Sequence, residues 1–373
     1  MTPRPPAEIG MTLAEVDTPA LLVDLDAFER NLAHLARRAR ALGVRLRPHA
    51  KTHKSAVIAR QQIALGAVGV CCQKVSEAEA MVAGGVGDVL VSNEIVGPQK
   101  LQHLARLARD ARVAVCVDDA GNLEAVAEAA RREGVRLDVL VEIDVGAERC
   151  GVAPGEPALA LAERVARSPH LAFRGLQAYH GAAQHIRGFA ERGTAIAAAV
   201  EKTRATVELL ASRGLACADV GGAGTGSYAF EGASGVYNEL QAGSYVFMDA
   251  DYGRNLGADG APVREFEQAL FVYATVMSKP TAARALVDAG LKAFSLDSGL
   301  PVVAGRDDAE YIRASDEHGK LKLAPSNSPL ALGDKLRIVP GHCDPTVNLY
   351  DCYVGYRGER VEAIWPIARG PGR

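Results

Sequence analysis

From Val44 onward the chain repeats one unit: a short apolar run that reads as a strand, then a longer stretch with helical spacing. The strand runs begin with Val44–Ala50, Gly69–Val75, Asp88–Ser92 and Val113–Asp118. They continue with Leu137–Asp144, Phe173–Tyr179, Ala218–Val220 and Tyr237–Gln241. Helical stretches such as Ser76–Ala83, Gln99–Arg109, Asn122–Glu133 and Arg192–Arg213 fit between them. Eight such units within about 210 residues have the size and rhythm of a closed (β/α)8 barrel. A doubly wound dinucleotide fold is the main rival, and it needs a G-x-G-x-x-G turn after its first strand. Here the turn after the apolar run at Ala20 reads Asp24-Leu-Asp-Ala-Phe-Glu29. The barrel is the better reading.

After Arg254 the pattern changes. Ala269–Ser278, Arg284–Asp288, Lys335–Val339, Tyr353–Tyr356 and Val361–Trp365 are β-rich runs separated by turns such as Ala258-Asp-Gly and Glu317-His-Gly. The expected organisation is α/β: an N-terminal (β/α)8 barrel over residues 20–253 and a C-terminal all-β domain over 254–373. A Pro-broken lead-in, residues 1–19, is expected to pack with the β domain. A strand at Ala20–Asp26 and an amphipathic helix over Ala27–Leu42 open the barrel domain in this reading.

The net charge of −3 over 373 residues gives no case for nucleic acid or an anionic membrane as partner. No apolar run is long enough to span a bilayer, and the first residues lack the apolar centre of a secretory signal. Seven cysteines without regular spacing read as reduced thiols in a cytoplasmic protein. Cys71-Cys72 read as packing.

Arg45-Leu-Arg-Pro-His-Ala-Lys51-Thr-His53-Lys54-Ser55 puts Lys51 at the carboxyl end of the first barrel strand, with Ser55 as N-cap of the next helix. Barrels place chemistry at strand C-termini. A lysine crowded by His49, His53 and Lys54 should have its ammonium form disfavoured, which suits a Schiff-base nucleophile. Gly221-Gly-Ala-Gly224-Thr225-Gly226-Ser227-Tyr228 follows barrel strand seven, where barrels bind phosphate. Close-set glycines let backbone N–H groups reach an anion, and Thr225 and Ser227 add hydroxyl donors. A phosphate site and a strand-end lysine in one barrel suggest pyridoxal 5'-phosphate. Arg149, in a glycine-flanked loop after strand five, can face the pyridine ring or its O3'. His180, closing strand six beside Tyr179, fits a general base and fits a structural hydrogen-bonder almost equally. In Pro340-Gly-His342-Cys343-Asp344, read as extended, His342 and Asp344 point to one side and can share a divalent ion while Cys343 faces away. Mn2+, Mg2+ or Zn2+ would be acceptable there.

Taken together these stretches resemble the D-threonine aldolase group of the alanine-racemase-like (type III) pyridoxal phosphate enzymes. The resemblance runs from Asp17-Thr-Pro-Ala to Ala368-Arg-Gly. It is carried by RPHAKTHK (47–54), GVCCQKVSEAEA (69–80), AERCGV (147–152), LQAYHG (176–181) and GGAGTGSY (221–228), then by NELQAGSYVFMDADYG (238–253), VDAGLK (287–292) and HCDPT (342–346). One departure is Ala223, where relatives often have a third glycine.

The resemblance implies Lys51 as the Schiff-base lysine and His180 as the residue near the reacting hydroxyl. It implies Gln73, Arg149, Tyr179, Gly224, Thr225, Gly226 and Tyr245 as cofactor contacts, and His342 and Asp344 as ligands of a divalent metal. The implied protein is a homodimer with its active site between barrel and β domain. The implied reaction is cleavage of D-β-hydroxy-α-amino acids, D-threonine giving glycine and acetaldehyde. The close alternatives are 3-hydroxy-D-aspartate aldolase and the D-threo-3-hydroxyaspartate or D-serine dehydratases. Racemisation would leave the metal pair idle, and a non-catalytic pyridoxal phosphate carrier would not need the β domain.

Overall fold

A computed structural model describes residues 5–324 and 329–368. The start of the lead-in, residues 1–4, and the Arg369-Gly370 end of the resemblance lie outside the described residues. The chain divides into two compact units. One holds His34–Gly243, Asn255–Ala261 and Ala368–Arg373; the other holds Met1–Ala33, Ser244–Arg254 and Pro262–Ile367.

In the first unit eight parallel strands follow the sequence reading in number and order. They are Arg45–Leu46, Val70–Cys72, Asp88–Glu94, Arg112–Val117, Leu137–Glu142, Leu171–Gln177, Asp219–Gly222 and Glu239–Leu240. The last pairs with the first, Arg45 with Glu239 and Leu46 with Leu240. The ring closes between first and second through a single parallel bridge, His49 with Cys71. There the Ala50 N–H donates to the Cys71 carbonyl at 2.7 Å and the Cys71 N–H to the Pro48 carbonyl at 2.9 Å. The first strand is far shorter than the apolar run suggests, because Pro48 has no N–H to extend the ladder. The chain leaves the ladder at Ala50, and Lys51 is the next residue.

Alternation along each strand sorts the interior. Val89 and Val91 pack in the large core shared with the helices, whereas Leu90 joins Cys71, Cys116 and Leu140 in a small cluster of its own. Cys71 and Cys72 are both fully buried thiols, as the packing reading expects.

At the opposite ends of the strands a chain of ion pairs fills the space. Arg47 bonds Asp88 at 2.5 Å and Glu239 at 2.9 Å; Arg45 and Arg174 meet Asp219 at 2.7 and 2.8 Å; Arg112 meets Asp138 at 2.9 Å. Glu239 is 1 % exposed, so removing Arg47 would strand a buried carboxylate, a loss of about 3–5 kcal/mol. The strand starts are thus committed to structure.

The second unit is built on a nine-stranded mixed sheet. Ala20–Asp24 lies inside this sheet, antiparallel to Leu270–Thr281 and parallel to Cys352–Arg357. This departs from the sequence reading, which placed Ala20 onward with the barrel. The physical reason is burial on both faces: Leu21, Leu22 and Val23 are all fully buried, which an interior strand of this sheet requires. The lead-in packs here too, Ala7, Leu13 and Val16 lying against Phe271, Tyr273 and Tyr356. The hairpin Ala309–Ala314 and Gly319–Leu323, unforeseen in the sequence, alternates buried Tyr311, Leu321 and Leu323 with exposed charges. No helix among the described residues is long and apolar enough to cross a membrane.

Candidate active site

Lys51 opens a turn held by two N–H donors, those of His53 and Lys54, on the Ala50 carbonyl at 3.2 and 2.7 Å. Lys54 takes a left-handed φ of 47°, and its Nζ pairs with Glu77 Oε1 at 3.3 Å in a buried setting. Lys51, half-buried, forms no ion pair among the described residues. Beside it His49 is buried and its imidazolium is strongly disfavoured, first by burial and then by the Lys51 charge. The His49 ring hydrogen-bonds Gln73, feels Arg149, and sits 3.2 Å from the Ser92 hydroxyl through Nε2. Its Nδ1 accepts the Lys51 N–H at 3.4 Å. Lys51 and Gln73 therefore stand beside one neutral imidazole, which also feels the Arg149 charge. Ser55 stands at the N-cap of the helix Ala56–Ala64 but makes no side-chain cap bond there.

Arg149 sits in a loop shaped by Asp144, whose Oδ1 accepts the N–H groups of Gly146, Ala147 and Glu148 at 2.9, 2.9 and 3.1 Å. The guanidinium lies 5.5 Å from the centre of the Tyr179 ring and its Nη2 3.6 Å from Glu142 Oε1. His180 flanks the same loop: a Cβ built on Gly146 would stand 3.0 Å from His180 Nε2. Burial and the Lys202 charge hold the His180 imidazolium down, against a smaller pull from Asp144. His180 Nδ1 is buried without a hydrogen-bond partner.

Sequence reasoning missed the acids in this neighbourhood. Glu94, Asp118 and Cys150 hold one ligand atom each within 4.8 Å of one another, the sole such metal-sized group among the described residues. Burial and Glu94 push the Cys150 thiol up to about 11, so it is neutral at ordinary pH. Asp118 Oδ2 already accepts the Gly151 N–H at 3.0 Å. The signal was available: Glu94, Asp118 and Glu142 each stand at or just past a strand's carboxyl end, as Lys51 does.

In the turn Gly221–Tyr228 two N–H groups have acceptors within the chain. The N–H groups of Gly224 and Gly226, expected to face an anion, donate to Ser227 Oγ at 3.3 Å and Gln184 Oε1 at 3.0 Å. The close approach that glycine allows is real: added Cβ atoms would stand 2.5 Å from Gln241 at Gly221, and 2.4 Å from Gln184 at Gly224. Ala223 holds a left-handed φ of 69°, the conformation that a glycine there would favour. Thr225 lies buried between the two glycines.

Tyr245, His342 and Asp344 belong to the other unit. Tyr245 is buried, its ring 5.7 Å from that of Phe266. The stretch at His342 is not extended throughout: His342 caps a short helix, Cys343–Val347, and Asp344 lies in its first turn. Pro345 favours this, since proline suits the first turn of a helix. Cys343 does not face away: its Sγ lies 3.4 Å from Asp344 Oδ1, and its N–H donates to buried Asp249 Oδ2 at 2.9 Å. Ser244 Oγ donates to Asp344 Oδ1 at 3.3 Å, and His342 Nδ1 stands 2.8 Å from Asp297 Oδ2. Burial opposes charge on His342, but Asp344, Asp297 and Asp249 outweigh it and raise its imidazolium.

The alanine racemase N-terminal domain model matches residues 23–251, and the putative serine dehydratase domain model matches residues 269–356. The chain is 51% identical to 3-hydroxy-D-aspartate aldolase of Paracoccus denitrificans (strain Pd 1222), over 98% of this chain and 96% of that one. It is 50% identical to D-threonine aldolase of Arthrobacter sp, over 99% and 97%. The crystal structure of D-threonine aldolase from Filomicrobium marinum superposes with a TM-score of 0.95, at 54% identity over 98% of this chain and 99% of that one. The chain belongs to the D-threonine aldolase group of the alanine-racemase-like family, a group of lyases.

Proposed function

We propose that the protein is a pyridoxal phosphate- and divalent-metal-dependent aldolase that cleaves D-β-hydroxy-α-amino acids, D-threonine to glycine and acetaldehyde. The observation that carries the reading is the contrast between two neighbouring lysines. Lys54 is neutralised by Glu77 at 3.3 Å, while Lys51 stands without a carboxylate against a neutral histidine.

The residues present fit the cofactor. Lys51 would carry it covalently, Gln73 stands beside the same imidazole, which also feels the Arg149 charge, and Thr52 Oγ1 is a buried hydroxyl with no partner. Tyr179 adds a ring beneath the Arg149 cation. Of the glycine turn, Thr225 remains our choice for the phosphate together with Gly224 and Gly226, with Gln184 giving way. We also assign Tyr245 to the cofactor. His342 and Asp344 fit a hard or borderline divalent ion, Mn2+ or Mg2+ before Zn2+, because they offer one imidazole and one carboxylate without a thiolate.

Pyridoxal phosphate supplies an electron sink for the Cα–Cβ bonding pair, and the metal ion supplies Lewis acidity at the β-hydroxyl oxygen. His180, kept neutral by burial, accepts the proton from that hydroxyl. The Cα–Cβ bond breaks, its carbinol carbon leaving as the aldehyde. Lys51 would return a proton to Cα, and glycine would depart. Arg149 would hold its guanidinium toward the cofactor. We propose a homodimer as the assembly.

The test is product identity. The protein is incubated with D-threonine, D-serine and D-3-hydroxyaspartate, with and without Mn2+. Glycine plus an aldehyde supports an aldolase, and which substrate turns over fastest separates the D-threonine from the 3-hydroxy-D-aspartate reading. A keto acid plus ammonia identifies a dehydratase and overturns the proposal.

A further inference from the structure

The loop that carries Asp297 is bonded to the start of the helix Cys343–Val347 at more than one point. The Ser295 N–H donates to Thr346 Oγ1 at 3.2 Å, and Thr346 Oγ1 donates to the His342 carbonyl at 2.8 Å. Within the loop the Asp297 carboxylate is fixed on both sides: Ser295 Oγ donates to Oδ1 at 2.8 Å and Ser298 Oγ to Oδ2 at 3.0 Å. That anchored carboxylate reaches His342 Nδ1 at 2.8 Å. Ser298 Oγ also lies 3.4 Å from Nδ1; with its proton given to Asp297 it can only accept there, and the carboxylate at 2.8 Å is the nearer acceptor. In the neutral ring, an acceptor on Nδ1 requires the proton there and leaves the Nε2 lone pair open.

We propose that Asp297 is the positioning residue of a divalent-cation site, fixing the His342 ring and its tautomer so that Nε2 is the ligating nitrogen beside Asp344. The proposal rests on the reading of His342 and Asp344 as metal ligands. Ligating histidines commonly hand their second ring N–H to a carboxylate, and loss of that partner weakens metal binding by about 10–100-fold. The sequence hides this, because Asp297 and His342 are far apart in the chain and Leu296-Asp-Ser-Gly carries no ligand spacing.

The experiment measures Mn2+ affinity of the full-length, cofactor-loaded protein by calorimetry and by paramagnetic resonance. The variants are Asp297→Ala, Asp297→Asn and His342→Ala. Asp297→Ala should weaken Mn2+ by about 10–100-fold with no change in cofactor absorbance. Asp297→Asn should fall between Ala and wild type, because its amide oxygen still accepts from Nδ1–H. His342→Ala should be the weakest of all. A merely structural Asp297 would lower the melting temperature and leave the affinity alone. If His342→Ala loses Mn2+ while Asp297→Ala binds as wild type, the positioning role falls and the ligand reading stands. If Asp297→Asn loses as much as Ala and its resonance spectrum loses a carboxylate ligand, Asp297 is itself a ligand and the proposal is overturned. Wild-type affinity in His342→Ala overturns both.

Discussion

Arg149 Nη2 lies 3.6 Å from Glu142 Oε1, and Glu142 is not free to answer as a full carboxylate. Burial first, and the charge of Glu94 next, push its carboxyl up to about 8, against the pull of Arg149. Glu142 Oε2 and both carboxylate oxygens of Glu94 are buried without a hydrogen-bond donor. That is favourable only with a proton between them.

The consequence is a defined pH dependence. An unfolded glutamate titrates near about 4.3, so the folded state binds this proton more tightly. The stabilisation is fully present below about pH 4 and is lost as pH rises toward 8, the direction for a raised carboxyl. Glu142→Gln keeps a neutral group in place at every pH. Between pH 5 and 8 the wild-type melting temperature should fall relative to that variant, and parallel curves would show that Glu142 carries no proton.

Lys51→Ala should abolish covalent retention of pyridoxal phosphate and the near-visible absorbance that goes with it. Lys54 is three residues away but paired with Glu77, so it should not substitute. Borohydride treatment followed by peptide mapping decides: label fixed at Lys54 in the variant would reverse the assignment.

Gly224→Ala should act through Gln184. The new Cβ would stand 2.4 Å from Oε1, the atom that accepts the Gly226 N–H, while Nε2 of the same side chain donates to Ser227 Oγ at 2.7 Å. Losing both buried bonds should cost about 1–3 kcal/mol in denaturant unfolding. In Gly224→Ala/Gln184→Ala the two effects should be less than additive, since the clash and the bonds share one side chain. Strict additivity would mean that the loop relaxes elsewhere.

Much of this architecture is legible in the chain because barrel strands are local: each apolar run pairs with the next, and Lys51 is readable as a strand-end residue without knowing the sheet. The exceptions are non-local. Ala20–Asp24 looks like a first barrel strand, but its parallel neighbour, Cys352–Arg357, lies at the other end of the chain. Glu94, Asp118 and Glu142 are single acids in sequence and become a cluster only through the register of adjacent strands. The turn around His342 misleads for a third reason. A histidine and an aspartate two residues apart fit an extended strand equally well, and Pro345 in the first helical turn decides against it.

His180→Ala should lower kcat by about 10²–10⁴ and leave cofactor absorbance unchanged. Because burial and Lys202 disfavour the imidazolium, the base form persists below pH 6.5. The acid limb of the kcat/KM profile should therefore fall below that value and vanish in the variant. Near-normal turnover would reduce His180 to a structural part.

Metal removal separates bond cleavage from cofactor binding. The lysine that would hold pyridoxal phosphate needs no cation, whereas the β-hydroxyl proton is hard to remove without one. Chelation should therefore stop aldehyde release from D-threonine while the near-visible absorbance survives, and added Mn2+ should restore the rate. Asp344→Ala should resemble the chelated protein and resist rescue at ordinary Mn2+ concentrations. Asp344 is itself held by Ser244 at 3.3 Å, so Ser244→Ala should show a milder form of the same defect, repaired at higher Mn2+. The readouts are aldehyde formation and Mn2+ dependence measured side by side. Full cleavage in a metal-free preparation would remove His342 and Asp344 from the reaction and leave His180 to take the proton unaided.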